Sequence, residues 1–370
     1  MSAAPDDRSF ESLLSAWDGE QAVVRFLPQL DAWMFVGMHS SALGPATGGT
    51  RINVYNSPAD GLRDALQLSE AMTLKMAIAG MPCGGGKAVL AVATLPRGNA
   101  RTKLLETYAA VIASLGGSFQ TGPDLNTSPL DMDLLAQRSR YVFCRSEANG
   151  GSGDSGVHTA EGVLHAIKAS LTRVFGSPTL AGRSILVQGL GSVGGNLAAL
   201  AAEGGAEVLL CDIDSKRARA VAESSSGRII GPAEAIGTVC DVYAPCALGG
   251  TLTFETIPRL RCDIVAGAAN NQLETRDDAE RLRRAGILYA PDYVSNAGGV
   301  LHAIGTELLA WSPRMTAAAL AGIEDKLAAI FDRADRDQTS TDQAARAIAG
   351  ERLNSVRATP GDPSAISRVC

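Results

Sequence analysis

"LVQGLGSVGGNLAAL", residues 186–200, decides the fold. An apolar run that reads as a strand ends in Gly189-x-Gly191-x-x-Gly194, and an alanine- and leucine-rich run that reads as a helix follows. The glycines let the chain turn tightly and let its backbone approach a pyrophosphate, which the unpaired N–H groups of a helix N-terminus attract. Asp212 closes the next strand-like run, "AEVLLCD", 21 residues after Gly191. A carboxylate there accepts hydrogen bonds from both ribose hydroxyls of an adenosine and repels a 2′-phosphate, so the expected cofactor is NAD. Gly189, Gly191, Ser192, Val193, Gly194 and Asp212 are the candidate contacts. Lys216 and Arg217 follow close behind and could answer a phosphate, but a solvated helix face explains them equally well.

Outward from this motif, the apolar runs "SILVQG", "AEVLLCD", "DVYAP", "CDIVAG" and "GILYAP" recur between helical or irregular stretches, the pattern of a buried parallel sheet. The stretch before them, "EANGGSGDSGV" at 147–157, is rich in Gly and Ser and reads as a hinge between domains. A chain of 370 residues is longer than one core usually serves, so two domains are expected. The net charge of −6 removes the attraction that nucleic acid or an anionic membrane would need. The N-terminus lacks the layout of a signal peptide and no run of apolar residues is long enough to span a bilayer, so a cytoplasmic protein is expected. Seven scattered cysteines show no C-x-x-C pair and read as buried thiols, with no metal site. The C-terminal residues from about 314 return to alanine-rich helix, and the last dozen look frayed.

In the N-terminal half, residues 57–80 read as a helix: Ser57-Pro58-Ala59-Asp60 supplies a cap, and Leu62, Leu66, Met72 and Met76 repeat at helical spacing. Gly80 and Pro82 end it. Lys75 lies in its last turns, and "GMPCGGGKAVL" then sets Lys87 after three glycines at the start of a strand. The Walker pattern fails here, because Ala88 stands where Ser or Thr is required and the first glycine is missing. A lysine partly desolvated beside a second ammonium group would have a depressed pKa and could act as a base near neutral pH. Spacing alone equally allows two surface lysines. A further helix at about 101–115 and a short strand "SFQT" lead into "GPDLNTSPLDMDLL", which places Asp124 in a loop before a capped helix.

"GPATGGTR", "MTLKMAIAGMPCGGGKAV", "TGPDLNT", "HTAEGV", "QGLGSVGG", "APCALGG", "AGAANNQL" and "APDYVSNAGG", in this order, resemble the glutamate, leucine, phenylalanine and valine dehydrogenase superfamily over about residues 40–310. The resemblance is closest to the phenylalanine dehydrogenase branch. It implies that Lys75 pairs with a substrate α-carboxylate, helped by backbone amides at Gly48 and Gly49. It implies that Lys87 is the general base that activates water and that Asp124 shuttles a proton to and from the substrate nitrogen. Asn270 resembles the amide that orients the amino acid and contacts cofactor, Thr159 and Asn296 the pair that holds the nicotinamide carboxamide, and Ala244, Pro245 and Cys246 a cofactor-contacting turn. Met72, Val300, Ala303 and Ile304 resemble the side-chain pocket, although core packing also explains four apolar residues.

The expected fold is therefore α/β, with two domains flanking a cleft: a smaller mixed sheet with helices, and a Rossmann-type doubly wound parallel sheet. Residues 1–147 with the C-terminal helices from about 330–370 would bind substrate, and 148–329 would bind NAD. The expected reaction is reversible oxidative deamination of an apolar L-amino acid, phenylalanine first and leucine, valine or another aromatic residue as alternatives, by a homo-oligomer. Relatives specific for glutamate carry a lysine before the paired glycines, where this chain has Thr47. Two rivals from other classes are a pyridoxal-phosphate lyase or transaminase with Lys87 as the Schiff-base lysine, which leaves the dinucleotide motif unused, and an NAD sensor without activity, which has no need of Lys75, Lys87, Asp124 and Asn270.

Overall fold

The computed structural model describes residues 9–358, so the expectation of a frayed C-terminal dozen lies outside the described residues. Two compact units divide the described residues: 9–154, 307–309 and 352–358 in the first, 155–306 and 310–351 in the second.

The first unit opens with α1 (Phe10–Ala16) and carries a mixed sheet built from β1 (Gln21–Leu27), β2 (Ala32–Ser40), β3 (Ala46–Val54), β4 (Gly84–Val92) and β5 (Phe119–Pro123). The order is β1-β2-β4-β3-β5, with β1, β2 and β4 antiparallel in turn and β3 parallel to both β4 and β5. The parallel pairs need crossovers, and α2 (Pro58–Ala79) and α3 (Gly98–Ser114) supply them; α4 (Pro129–Ala136) follows β5. Ser57 caps α2 through the Asp60 amide, and Gly80 ends it in the left-handed region at φ 85°. Ser128 and Asp131 form a capping box on α4.

β4 is buried along its whole length and its residues alternate between two cores. Val89 and Ala91 pack with Leu62, Ala65 and Leu66 of α2, while Ala88, Leu90 and Val92 pack with Leu104, Leu105 and Tyr108 of α3. Lys87 shares the parity of Val89 and so lies on the α2 side of the sheet. The strand begins at Gly84, not at Lys87 as the sequence suggested, so the three glycines are strand residues and not a turn. The reason is steric: a Cβ on Gly85 would lie 2.1 Å from the Thr73 backbone nitrogen on α2, and one on Gly86 would lie 2.8 Å from the Phe119 ring. Only glycine lets the helix and the opposite core close onto the strand there.

The second unit is a six-stranded, wholly parallel sheet in the order β11-β10-β9-β6-β7-β8. Its strands are β6 (Ser184–Gln188), β7 (Glu207–Cys211), β8 (Arg228–Ile229), β9 (Val242–Pro245), β10 (Ile264–Val265) and β11 (Leu288–Tyr289). Five of them are the apolar runs of the sequence; β8, exposed at the sheet edge, carried no apolar signal. After α5 (Gly156–Phe175), the helices α6 (Ser192–Glu203), α7 (Ser215–Ser225) and α8 (Asp277–Arg284) connect strands, and α9 (Asp292–Ser295) and α10 (Gly298–Glu307) follow the last one. The chain runs from β6 outward through β7 and β8 and then returns to β9 beside β6, so the order reverses at the β6/β9 boundary.

α11 (Pro313–Asp337) and α12 (Thr341–Ala358) close the described chain. Residues 310–351 group with the second unit, whereas the sequence reading placed the helices from about 330 with the first. The cause is packing: α11 lies along α5, and the buried Tyr293 hydroxyl donates to Asp342 of α12 at 2.9 Å. The six described cysteines form no disulfide; Cys83, Cys144, Cys211 and Cys240 are buried, while Cys246 and Cys262 are only half-buried. No described helix is long and apolar enough to cross a membrane.

Candidate active site

The order β4-β3-β5 brings together what the sequence separates. Lys87 on β4 is 3% exposed, and its Nζ lies 3.0 Å from Oδ1 of Asp124, which sits just past the end of β5. The loop is tied down locally: the Asp124 amide donates to Thr127 Oγ1 at 2.8 Å, and that hydroxyl reaches the Thr50 carbonyl at 2.8 Å. Burial pushes the Lys87 ammonium below its ordinary pKa against the pull of Asp124, and the charge of Arg51 adds to the push. Burial would raise the Asp124 carboxyl, but Lys87 and Arg51 together hold it well below the usual carboxylate range.

The second cation acting on Lys87 is thus Arg51 of β3, where the sequence reading supplied Lys75. Arg51 Nε donates to Asp124 Oδ2 at 2.8 Å, its Nη1 donates to Asp64 Oδ2 of α2 at 2.9 Å, and the Tyr55 hydroxyl donates to that same Asp64 oxygen. Sequence reasoning missed Arg51, Asp64 and Tyr55. The available signal was an arginine directly after "GGT" inside the apolar strand "TRINV", at a position facing the same side as Val89.

Lys75 is buried in the last turns of α2, two residues beyond the Thr73 that touches Gly85. Gly48 and Gly49 lie on β3 where its pairing with β4 is interrupted, and both keep partners on β5. A Cβ on Gly48 would fall 1.7 Å from the Gly86 carbonyl oxygen and 3.4 Å from Met72, and one on Gly49 would fall 2.9 Å from the Asp124 Cβ. The first unit therefore gathers Gly48, Gly49, Met72, Lys87 and Asp124 around one short stretch of sheet.

In the second unit the glycine motif sits at the reversal of strand order. Gly189 has φ 93°, and a Cβ on it would meet Ala247 at 2.6 Å; one on Gly194 would strike the Gly189 carbonyl at 1.8 Å and reach Cys246 at 3.2 Å. Ala244 and Pro245 thus end β9 instead of lying in a turn, and the segment just after them, with Cys246 and Ala247, abuts the glycine loop. Gly191 caps α6 with no side-chain bond, and a Cβ there would meet nothing within 4 Å, so the positive helix end, with Ser192 and Val193 in its first turn, opens onto free space. Asp212 follows β7; its Oδ2 accepts from the Leu190 amide at 2.7 Å and its Oδ1 from the Asp214 amide at 2.8 Å. Arg217 Nη1 also reaches Oδ2, at 3.3 Å, so this arginine is more than a solvated helix face. Although burial acts to raise it, these backbone bonds and Arg217 hold the Asp212 carboxyl below its ordinary pKa.

Asn296 donates through Nδ2 to Asn270 Oδ1 at 3.0 Å and to the Ala268 carbonyl at 3.1 Å. Its Oδ1 is buried with no hydrogen-bond partner among the described residues, an acceptor that a carboxamide N–H would satisfy. Thr159 donates to the Ser155 carbonyl at 2.9 Å and touches the start of α10, where a Cβ on Gly299 would lie 2.6 Å from its hydroxyl. Val300 is half-buried on α10, while Ala303 and Ile304 are 6% and 2% exposed. The open helix end, the close-packed glycines, the ribose-side carboxylate and the orphan amide oxygen fit NAD.

A family model described as Glu/Leu/Phe/Val dehydrogenase, dimerisation domain, matches residues 30–141, and one described as Glutamate/Leucine/Phenylalanine/Valine dehydrogenase matches residues 209–359. The chain is 37% identical over 322 residues to a leucine dehydrogenase of Geobacillus stearothermophilus, covering 87% of each protein. It is 40% identical over 326 residues to a valine dehydrogenase of Streptomyces albus, covering 87% of this chain and 89% of that one. The crystal structure of L-tryptophan dehydrogenase from Nostoc punctiforme matches with a TM-score of 0.76 at 35% identity, over 95% of this chain and 100% of that one.

Proposed function

This chain belongs to the glutamate/leucine/phenylalanine/valine dehydrogenase family, and we propose that its reaction is the NAD-dependent oxidative deamination of a branched-chain L-amino acid, leucine or valine. The sequence reading put phenylalanine first; the names of the relatives favour the branched-chain alternative. A tryptophan dehydrogenase among them supports aromatic substrates as the second reading.

What carries the reading is the buried Lys87 paired with Asp124 at 3.0 Å. NAD, when bound, would supply the acceptor for the hydride that leaves Cα. Water must then add to the resulting imine, and a lysine whose pKa is lowered by burial can be neutral enough to take the proton that this water loses. Asp124, ionised and bonded to the same Nζ, can relay that proton from Lys87 to the departing nitrogen, so that ammonia and a 2-oxo acid leave. Lys75, Gly48 and Gly49 would hold the substrate carboxylate, with Met72, which approaches Gly48, beside the side chain. Thr159, Asn270 and Asn296 would hold the carboxamide end of NAD and Asp212 its ribose. A homo-oligomer is proposed as well, supported by the description of the family matched at 30–141 as a dimerisation domain.

Thr47 is 5% exposed and its hydroxyl donates to the Pro45 carbonyl, so it offers no cation to a γ-carboxylate. Desolvating that carboxylate unpaired costs on the order of several kcal/mol, which disfavours glutamate. Formation of NADH with leucine, valine, phenylalanine, tryptophan and glutamate at alkaline pH tests the reading. Leucine or valine should rank first in kcat/KM and glutamate last. No NADH from any apolar amino acid would overturn the function, and phenylalanine far ahead would overturn the branched-chain choice.

A further inference from the structure

Asp124 is gripped from two sides. Its Oδ1 faces Lys87 at 3.0 Å and its Oδ2 receives Arg51 Nε at 2.8 Å. Arg51 is held in turn: its Nη1 donates to Asp64 Oδ2, and the Tyr55 hydroxyl donates to that same oxygen and fixes it. The side chains of Arg51, Asp64 and Asp124 are 17%, 20% and 15% exposed, so these bonds are made largely out of water, where orientation is retained and charge is weakly screened. Two cations and two carboxylates alternate in the order Lys87, Asp124, Arg51, Asp64, and the cluster is balanced in charge.

We infer that Arg51 is a positioning residue for the reaction: clamped by Asp64 and Tyr55, it fixes the Asp124 carboxylate so that Oδ1 alone is left to exchange protons with Lys87 and the substrate nitrogen. This rests on the reading of Lys87 and Asp124 as the reacting pair. A planar guanidinium suits the task because its fork bonds two carboxylates at fixed angles, which one ammonium cannot do. On the Lys87 side, β4 packs against α2 and is flanked by β2 and β3, and these carry Asp64 and Lys75, His39, and Arg51 respectively. His39 is engaged with Thr73 and Asp18. Among these groups, Asp124 and Asp64 favour the charged form of Lys87 and Arg51 disfavours it.

The arrangement gives opposite signs for two substitutions. Arg51→Gln removes a cation, so Lys87 holds its proton to higher pH and the acid limb of kcat/KM in oxidative deamination moves up, by on the order of a pH unit. Asp64→Asn removes an anion and moves that limb down. Both should lower kcat, by roughly 10–100-fold for Arg51→Gln, because the carboxylate loses its fixed orientation. Arg51→Lys keeps the charge, so its limb stays near that of the wild type while kcat still falls. The experiment is the pH profile of kcat and kcat/KM for the wild type and the three variants, with a thermal melt of each. If Arg51→Gln does not fold, Asp64→Asn against Arg51→Lys still separates charge from geometry. Limbs that shift in opposite directions support the inference. An active wild type whose limb neither substitution moves, or moves in one direction only, overturns it and leaves the function standing. A wild type that forms no NADH overturns the functional reading and the inference with it.

Discussion

Replacing Gly85 by alanine tests how the fold builds the site. The added Cβ would sit 2.1 Å from both the backbone nitrogen and the Oγ1 of Thr73, and 2.5 Å from its Cα. Contacts of about 3.4 Å or more are ordinary, so α2 and β4 must separate by roughly an ångström, and backbone cannot rotate out of the way as a side chain can. Thr73 is itself fixed, with its hydroxyl 2.9 Å from His39 Nδ1. Overpacking of this kind costs about 1–3 kcal/mol, which for a unit of this size lowers Tm by roughly 2–12 °C. The displacement also carries Lys75, two residues along α2, away from the strand that holds Lys87, so KM for the amino acid should rise. Gly350→Ala on α12 is the control: a Cβ there meets nothing within 4 Å, and relief of the glycine penalty in a helix should raise stability by about 0.5–1 kcal/mol. Differential scanning calorimetry and steady-state kinetics check both. If Gly85→Ala melts with the wild type and keeps its KM, close approach is not why these glycines are there.

Lys87→Ala should lower kcat by roughly 10²–10⁴-fold, the usual contribution of a general base, while Lys75→Ala should chiefly raise KM; a Lys87→Ala enzyme with near-normal kcat would remove it from that role. Asp212→Ala should weaken NAD and narrow its advantage over NADP, the more so because Arg217 then loses the nearer of its two carboxylates, keeping only Asp214 at 3.8 Å, and is freer to meet a 2′-phosphate; steady-state kinetics with both dinucleotides measure this, and an undiminished preference for NAD would refute the role of Asp212. The depressed carboxyls of Asp124 and Asp212 contribute stability that is present above the unfolded-state pKa of about 4 and is lost as pH falls through their lower folded-state values. Acid unfolding followed by circular dichroism should therefore begin as pH drops below about 4, and Asp212→Asn should flatten that loss; an identical acid transition would refute it.

Much of this protein was determined by its local sequence. The glycine motif with its flanking strand and helix, Asp212 at the end of the next strand, the five apolar runs and the capped helix at 57–80 are legible because each depends on neighbours within a few turns of chain. The start of β4 was not, because glycine has no preference for a strand of its own; residues 84–86 are extended only since Thr73 and Phe119 approach from either side. Nor was the clamp on Asp124, whose partner Arg51 is 73 positions away. The order β4-β3-β5 puts β3 in the middle, so that a lysine from one neighbour and an aspartate from the other meet beside its arginine. That meeting is a property of strand order, which long-range packing selects and no run of adjacent residues encodes.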